Sequence, residues 1–259
     1  MSGSIDRPGI DLPTLFLVVE IVVVLALSLG RSAIWSILDL VRALTAGPLS
    51  GQSTSLNPSQ DENPWFDLVD QLVGIVLTLA PVALVILLLS LSAGSLRRAL
   101  VDLGLDLSRP LRDAASGIVL AAGVGLPGLA VYYLGRALGA TLEVIPAALA
   151  THWWTVPVLI LQALKNAVLE EVIVVGYLTQ RLERLGVGHV GVLAATAVLR
   201  GCYHLYQGIG PGLANLAMGL VFTEYFRRTR RVAPLILAHT ELDVVAFVGY
   251  ALLRDVLPS

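Results

Sequence analysis

Residues 153–178, WWTVPVLILQALKNAVLEEVIVVGYL, decide how the rest of the chain is read. The run exceeds the ~20 apolar residues a helix needs to cross a bilayer. Yet it carries Glu170 and Glu171 side by side. An ionisable group at the centre of a membrane helix costs roughly 2.5–3.5 kcal/mol on insertion scales, so such residues mark either function or a structural ion pair. Lys165 and Arg200 are the cations within reach of the second reading. Adjacent helical residues point about 100° apart. One glutamate can therefore face a substrate while the other holds a neighbour.

The chain around this run is built for lipid. Of its 259 residues 56% are hydrophobic and 14% charged, and the mean hydropathy is +0.81. Soluble domains carry roughly 25% charge. The reading is all-α: a polytopic transmembrane helix bundle of about seven spans plus an interfacial helix. The spans fall at Leu12–Leu29, Leu68–Leu91, Ile118–Leu138, Trp153–Leu178, Val190–Tyr206, Leu213–Phe226 and Ala233–Leu253. Arg31 to Leu44 is amphipathic and reads as the interfacial helix. Gly47 to Pro64, rich in Gly, Ser, Asn and Pro, reads as a solvent loop. The whole of 1–259 reads as a single membrane domain, with a catalytic-type core at about 100–250 and an N-terminal extension over 1–99.

Three basic clusters, Arg97/Arg98/Arg109/Arg112, Arg181/Arg184 and Arg227/Arg228/Arg230/Arg231, fall on one side of a seven-span bundle. Basic loops favour the cytoplasm. This expectation places a multi-pass protein in the cell membrane with its N-terminus cytoplasmic; Arg31 and Arg42 run against the bias. The bilayer is thus one partner. The net charge of −2 and the lack of a basic stripe argue against nucleic acid as another. The polar Met1 to Pro13 and the absence of a cleavage site suggest a retained first span. The end, Val256 to Ser259, lacks the cysteine of a prenylation box. Cys202, the single cysteine, offers no disulfide or thiolate cage.

Ionisable residues recur on two further apolar runs. His204 lies in Leu-Arg-Gly-Cys-Tyr-His, 199–204, with Arg200 four residues before it on the same helix face. His239 and Asp243 are again four apart, a spacing that suits two metal ligands or two groups aimed at one oxygen. Glu241 falls off that face. His152 and His189 lie at span ends, where a wet histidine is expected. Three helices bearing such groups point to one shared site, and carboxylate with imidazole activates water or holds a metal. Depth is the obstacle. His204 nears the outer end of its span while Glu170 lies mid-membrane, a mismatch of up to ~15 Å at 1.5 Å per residue. A break at Gly208–Gly212 turning inside the membrane would remove it.

Other chemistries find little support. There is no His-Glu-x-x-His helix and no Gly-x-Ser-x-Gly elbow around Ser116. Gly123-x-Gly125-x-x-Gly128 sits in a span with no strand before it, so helix packing explains it better than dinucleotide binding. Gly208 and Gly212 are read the same way.

The order Glu170-Glu171, His204, His239-x-x-x-Asp243, at intervals of 34 and 35 residues, resembles the CAAX protease and bacteriocin-processing family of intramembrane endopeptidases, also called Abi. Its motifs are Glu-Glu-x-x-x-Arg, Phe-x-x-x-His and His-x-x-x-Asn or Asp on separate helices, and the resemblance covers about residues 100–250. Two positions depart from it: Val175 stands at the motif arginine and Arg200 at the motif phenylalanine. A linked exchange is expected, with the guanidinium moved to the next helix to serve the same carboxylate.

The resemblance implies an intramembrane endopeptidase cutting a peptide or protein substrate, lipidated in the eukaryotic relatives, near the membrane surface. Glu170 would activate water shared with His204. His239 and Asp243 would orient the oxyanion, and Glu171 and Arg200 would support the site. A zinc ion held by His204, His239 and carboxylates and a metal-free glutamate mechanism are equally open at this point. Two other classes remain beside it. One is a catalytically silent immunity or scaffold protein of the same fold, and the other is a proton-coupled transporter.

Overall fold

Proline at helix starts and glycine or serine at breaks divide the apolar runs into helices. The computed structural model describes residues 13–253, so Leu12 and the Val256–Ser259 end lie outside the described residues. Helices α1 (Thr14–Ala26) and α2 (Leu29–Ala46) meet at a 53° bend. Asn63 then caps α3 (Pro64–Thr78) by accepting from the Trp65 and Phe66 amides, with Pro64 at the first helical position. Helix α4 (Ala80–Ala93) continues α3 and ends at Gly94 in the left-handed region, φ 80°. Short α5 (Leu96–Asp102) and long α6 (Pro110–Ala137) follow.

Helix α7 (Thr155–Glu170) passes into a π-helical segment, Glu171–Leu178, and on into α8 (Thr179–Arg184). Helices α9 (His189–Tyr203), α10 (Ile209–Thr229) and α11 (Ala233–Leu253) complete the bundle.

The all-α expectation holds, and several helices are apolar enough for a bilayer. By length and composition Pro64–Ala93, Pro110–Ala137 and Ala233–Leu253 can cross one, and the bent α1–α2 pair makes a fourth if taken as one span. In α6 only 11% of the most apolar window is buried. Its Ile118, Val119 and Leu126 point outward, which suits lipid and not water.

Residues 31–44 belong to α2, whose Leu29, Ala33 and Ser36 are buried at helical spacing and which packs on α9. Two expectations change. The 47–64 segment is not a free loop: β1 (Ser53–Ser55) pairs in parallel with β2 (Glu143–Ile145), and Asn57 donates to the Pro146 carbonyl. The span expected at Val190–Tyr206 is α9. Its 15 residues rise about 22 Å, short of a ~30 Å hydrocarbon core.

The main core gathers Val172–Val175 and Tyr177 of the π segment with Val24 of α1, Val85 of α4 and Phe222 of α10. One end of the bundle is tied by arginines. Arg231 donates to Asp113 and Asp106, joining the α10–α11 turn to the region of α5–α6. Glu183 of α8 accepts from Arg227 and Arg230. The three basic clusters therefore share one end. Arg181 departs from that pattern. It is 3% exposed and bonds Glu20 at 2.7 Å and Ser92 at 3.0 Å, so it is an internal tie and not a loop charge.

Candidate active site

Helix α9 starts at the basic end and climbs about 22 Å to His204, while Glu170 lies about 20 Å from that end along α8, the π segment and α7. The two residues are level because α9 stops inside the bundle. The reversal lies at His204–Gly208, earlier than the expected Gly208–Gly212 break. Leu205–Gln207 form a 3₁₀ turn and Gly208 sits at φ 111° against Thr141. Gly212 lies inside α10, where a Cβ would meet the Leu205 side chain and Gly201 oxygen. Close packing thus explains Gly212, and the backbone turn explains Gly208. Packing does not explain the earlier glycine pattern as a whole. Gly125 abuts Leu242, whereas Gly123 and Gly128 face open space.

At this level five of the six sequence-derived residues form one connected cluster, with Asp243 at its edge. Arg200, fully buried, places Nη2 2.8 Å from Glu171 Oε1, 3.2 Å from His239 Nδ1 and 3.4 Å from Glu170 Oε2. His239 Nδ1 lies 2.7 Å from Glu171 Oε1. A carboxylate can only accept, so Nδ1 carries the proton and donates. Glu171 is wholly buried and holds two donors. It is the anchor.

Glu170 differs. Its Oε2 accepts from the Tyr203 hydroxyl at 2.8 Å and faces His204 Nε2 at 3.6 Å. That separation is too long for a hydrogen bond. Neither ring nitrogen of His204 has a hydrogen-bond partner among the described residues, and its ring leans on Tyr203 at 4.8 Å between centroids. Asp243 Oδ1 stands 3.8 Å from His239 Nε2, and Asn166 donates to its Oδ2 at 3.3 Å.

The remaining candidates lie elsewhere. Lys165 donates to Gln162, not to the glutamates. His189 pairs with Glu224 at 3.0 Å on the half-exposed start of α9, and His152 stacks on Trp154. Tyr203 and Asn166 were missed as site residues. Tyr203 was findable, since Arg200, Tyr203 and His204 fall at i, i+3 and i+4 on one helix face. Asn166 lies four residues before Glu170, but nothing in sequence ties it to Asp243.

Metal chemistry is limited by the same guanidinium. Glu170, Glu171 and His239 offer ligand atoms within 4.8 Å of one another, and His204 is not of this group. Arg200 Nη2 already stands among those three residues as their cation. A divalent ion there would meet a fixed positive charge at close range, where low dielectric magnifies repulsion. The residues as arranged do not fit zinc.

Residues 152–245, from the turn before α7 into α11, match the family model of type II CAAX prenyl endopeptidase Rce1-like proteins. This region is Rce1-like. It contains Glu170, Glu171, Arg200, His204, His239 and Asp243 together. No curated protein and no solved structure matches the chain. The matched model is that of an endopeptidase family, and the apolar helices around the region suit a membrane. Val175 and Arg200 remain the two departures from the motif pattern in this Rce1-like region.

Proposed function

We propose that the protein is an intramembrane endopeptidase that hydrolyses a peptide bond through a water activated by Glu170 and His204. The observation that carries this reading is the approach of Glu170 Oε2 and His204 Nε2, 3.6 Å apart inside the bundle. Both nitrogens of that imidazole lack a hydrogen-bond partner among the described residues. Such a pair can share a water between a base and a second acceptor or donor.

In the proposed step Glu170 takes a proton from water, and the water oxygen attacks the substrate carbonyl carbon. The carbonyl electron pair moves onto its oxygen. His239 has Nδ1 committed to Glu171 and Nε2 directed to the Asp243 side. When Nε2 is protonated it donates to that oxyanion. Collapse breaks the carbon–nitrogen bond, and the proton held by Glu170 passes to the leaving amine. Arg200 fixes both carboxylates and supplies the charge that the motif arginine, here Val175, does not. Tyr203 orients Glu170, and Asn166 orients Asp243.

The substrate in this reading is a peptide or protein segment at the membrane, lipidated or not. The chain crosses the cell membrane several times with its basic end and N-terminus in the cytoplasm. Peptide-release proteomics on native membranes tests the reading. Wild type should release fragments that a Glu170→Ala protein does not. If the Glu170→Ala protein releases the same fragments, the chain is not this protease; if it also sustains the cellular role, the silent scaffold takes its place.

A further inference from the structure

A groove of about 630 Å³ runs between α2 and the α3–α4 pair, inside the ~300–1,000 Å³ range of ligand sites. Its inner end is formed by Leu169 and Tyr203, the chain neighbour and the hydrogen-bond partner of Glu170. The groove therefore ends at the site. Its two walls differ in chemistry. The α3–α4 wall presents Leu77, Thr78 and Pro81, whereas the α2 wall presents Arg31 and Ser32, with Trp35 one turn further along the same helix face. The Ser28 hydroxyl there donates to the Val24 oxygen, and the Ser36 hydroxyl accepts from the Tyr206 amide.

Arg31 is the open charge of this wall. Asp39, further along α2, is engaged by Arg42 at 2.8 Å. Neither the Arg31 guanidinium nor the Ser32 hydroxyl makes a hydrogen bond or ion pair with a described residue. Around it Ile34, Ile37 and Leu38 of the same helix are exposed and apolar. A guanidinium among lipid-facing residues is costly unless it meets an anion, and its planar fork matches a carboxylate. An acyl chain would satisfy Leu77 and Pro81 but leave the Ser32 hydroxyl and Arg31 bare. An extended peptide in apolar surroundings needs backbone partners, which the Ser32 hydroxyl provides, and it can carry a carboxylate.

The geometry points to this groove as the seat of an extended substrate peptide whose carboxylate is held by Arg31, with the chain led past Tyr203 to Glu170. The inference rests on the protease reading and names its substrate side.

Binding is measured on the Glu170→Gln protein in phosphatidylcholine nanodiscs, where nothing is cut. The probe is a fluorescent apolar octapeptide in three forms: a free C-terminal carboxylate, an amidated terminus, and an amidated terminus with one internal glutamate. At least one carboxylate form should bind about tenfold more tightly than the plain amide, and which one identifies the source of the carboxylate. Arg31→Gln should erase that preference and Arg31→Lys should keep part of it. Ser32→Val should weaken every form. Equal affinity for all three peptides, or a preference that survives Arg31→Gln, overturns the inference. Displacement of every peptide by phosphatidylglycerol, dependent on Arg31, would make the ligand a lipid headgroup and overturn it also. The two readings fail separately. Fragment release that survives Glu170→Ala sinks the protease and leaves the binding result standing, while loss of the Arg31 effect sinks only the groove.

Discussion

Nη2 of Arg200 reaches Glu171, His239 and Glu170 within 2.8–3.4 Å, and this one atom sets most residue-scale expectations. Removing one partner of a buried ion pair costs about 3–5 kcal/mol, because the other charge stays buried and alone. Arg200→Phe should therefore lower thermal stability in detergent and abolish cleavage. Val175 lies four residues after Glu171, one helical turn on and fully buried, so an arginine there can reach the same carboxylate. The double variant Arg200→Phe/Val175→Arg should regain measurable activity and part of the lost stability. Absence of rescue, with the double variant folded, would mean that Arg200 has a role of its own. The same atom predicts that exhaustive chelation leaves cleavage intact. Activity that disappears with the metal and returns with zinc would show that Arg200 moves aside. The clustering of Glu170, Glu171 and His239 was legible in sequence, because each is an expensive residue on an apolar run. The direct contact of Arg200 with both glutamates was legible only as a pairing of unlike charges, and the Tyr203 bond was not singled out.

At the scale of elements, the site depends on where α9 stops. Hydropathy ran the span on to Tyr206, since Tyr203, Leu205 and Tyr206 extend the apolar pattern. The backbone instead turns at His204–Gly208, and Gly208 makes the turn possible. Its φ of 111° is in a region side chains rarely adopt, and a Cβ would lie 2.8 Å from Thr141 Cα and 3.0 Å from the Ala140 oxygen. Gly208→Ala should destabilise by about 1–3 kcal/mol and reduce activity, because His204 is placed by that turn. Gly123→Ala is the control. It has open space and ordinary helical backbone, and should be neutral or slightly stabilising. A Gly208→Ala protein with unchanged melting and activity would refute this account. Helix content was legible from apolar runs bounded by proline and glycine. The β1–β2 pair was not, since three-residue strands so far apart in the chain carry no periodic signal. The π segment was not legible either, because Glu171–Leu178 is buried on every side and shows no preferred face.

The whole molecule is closed at its basic end by carboxylates that lie outside the spans, and these make its stability respond to acid. Burial opposes ionisation of Glu183, but hydrogen bonds from Arg230 and Arg227 outweigh it and hold this carboxyl below its usual range. Asp106 is likewise lowered, by its hydrogen bonds to Ser108 and Arg231. A carboxyl depressed in the folded state adds stability that is fully present above its unfolded value, about 4 for either residue type. That contribution is lost as pH falls through the folded value. The ties joining α8 to the α10–α11 turn, and that turn to the α5–α6 connection, should therefore hold at neutral pH and loosen below about pH 4. Melting temperature in detergent should fall on this acid limb, and proteolysis should begin at the connections around Asp106 and Arg230. Glu183→Gln should melt lower than wild type at pH 7 and show a flatter acid limb, because one of the titrating ties is already gone. Equal slopes for the two proteins below pH 4 would assign the acid response to the carboxylates inside the bundle and not to this end.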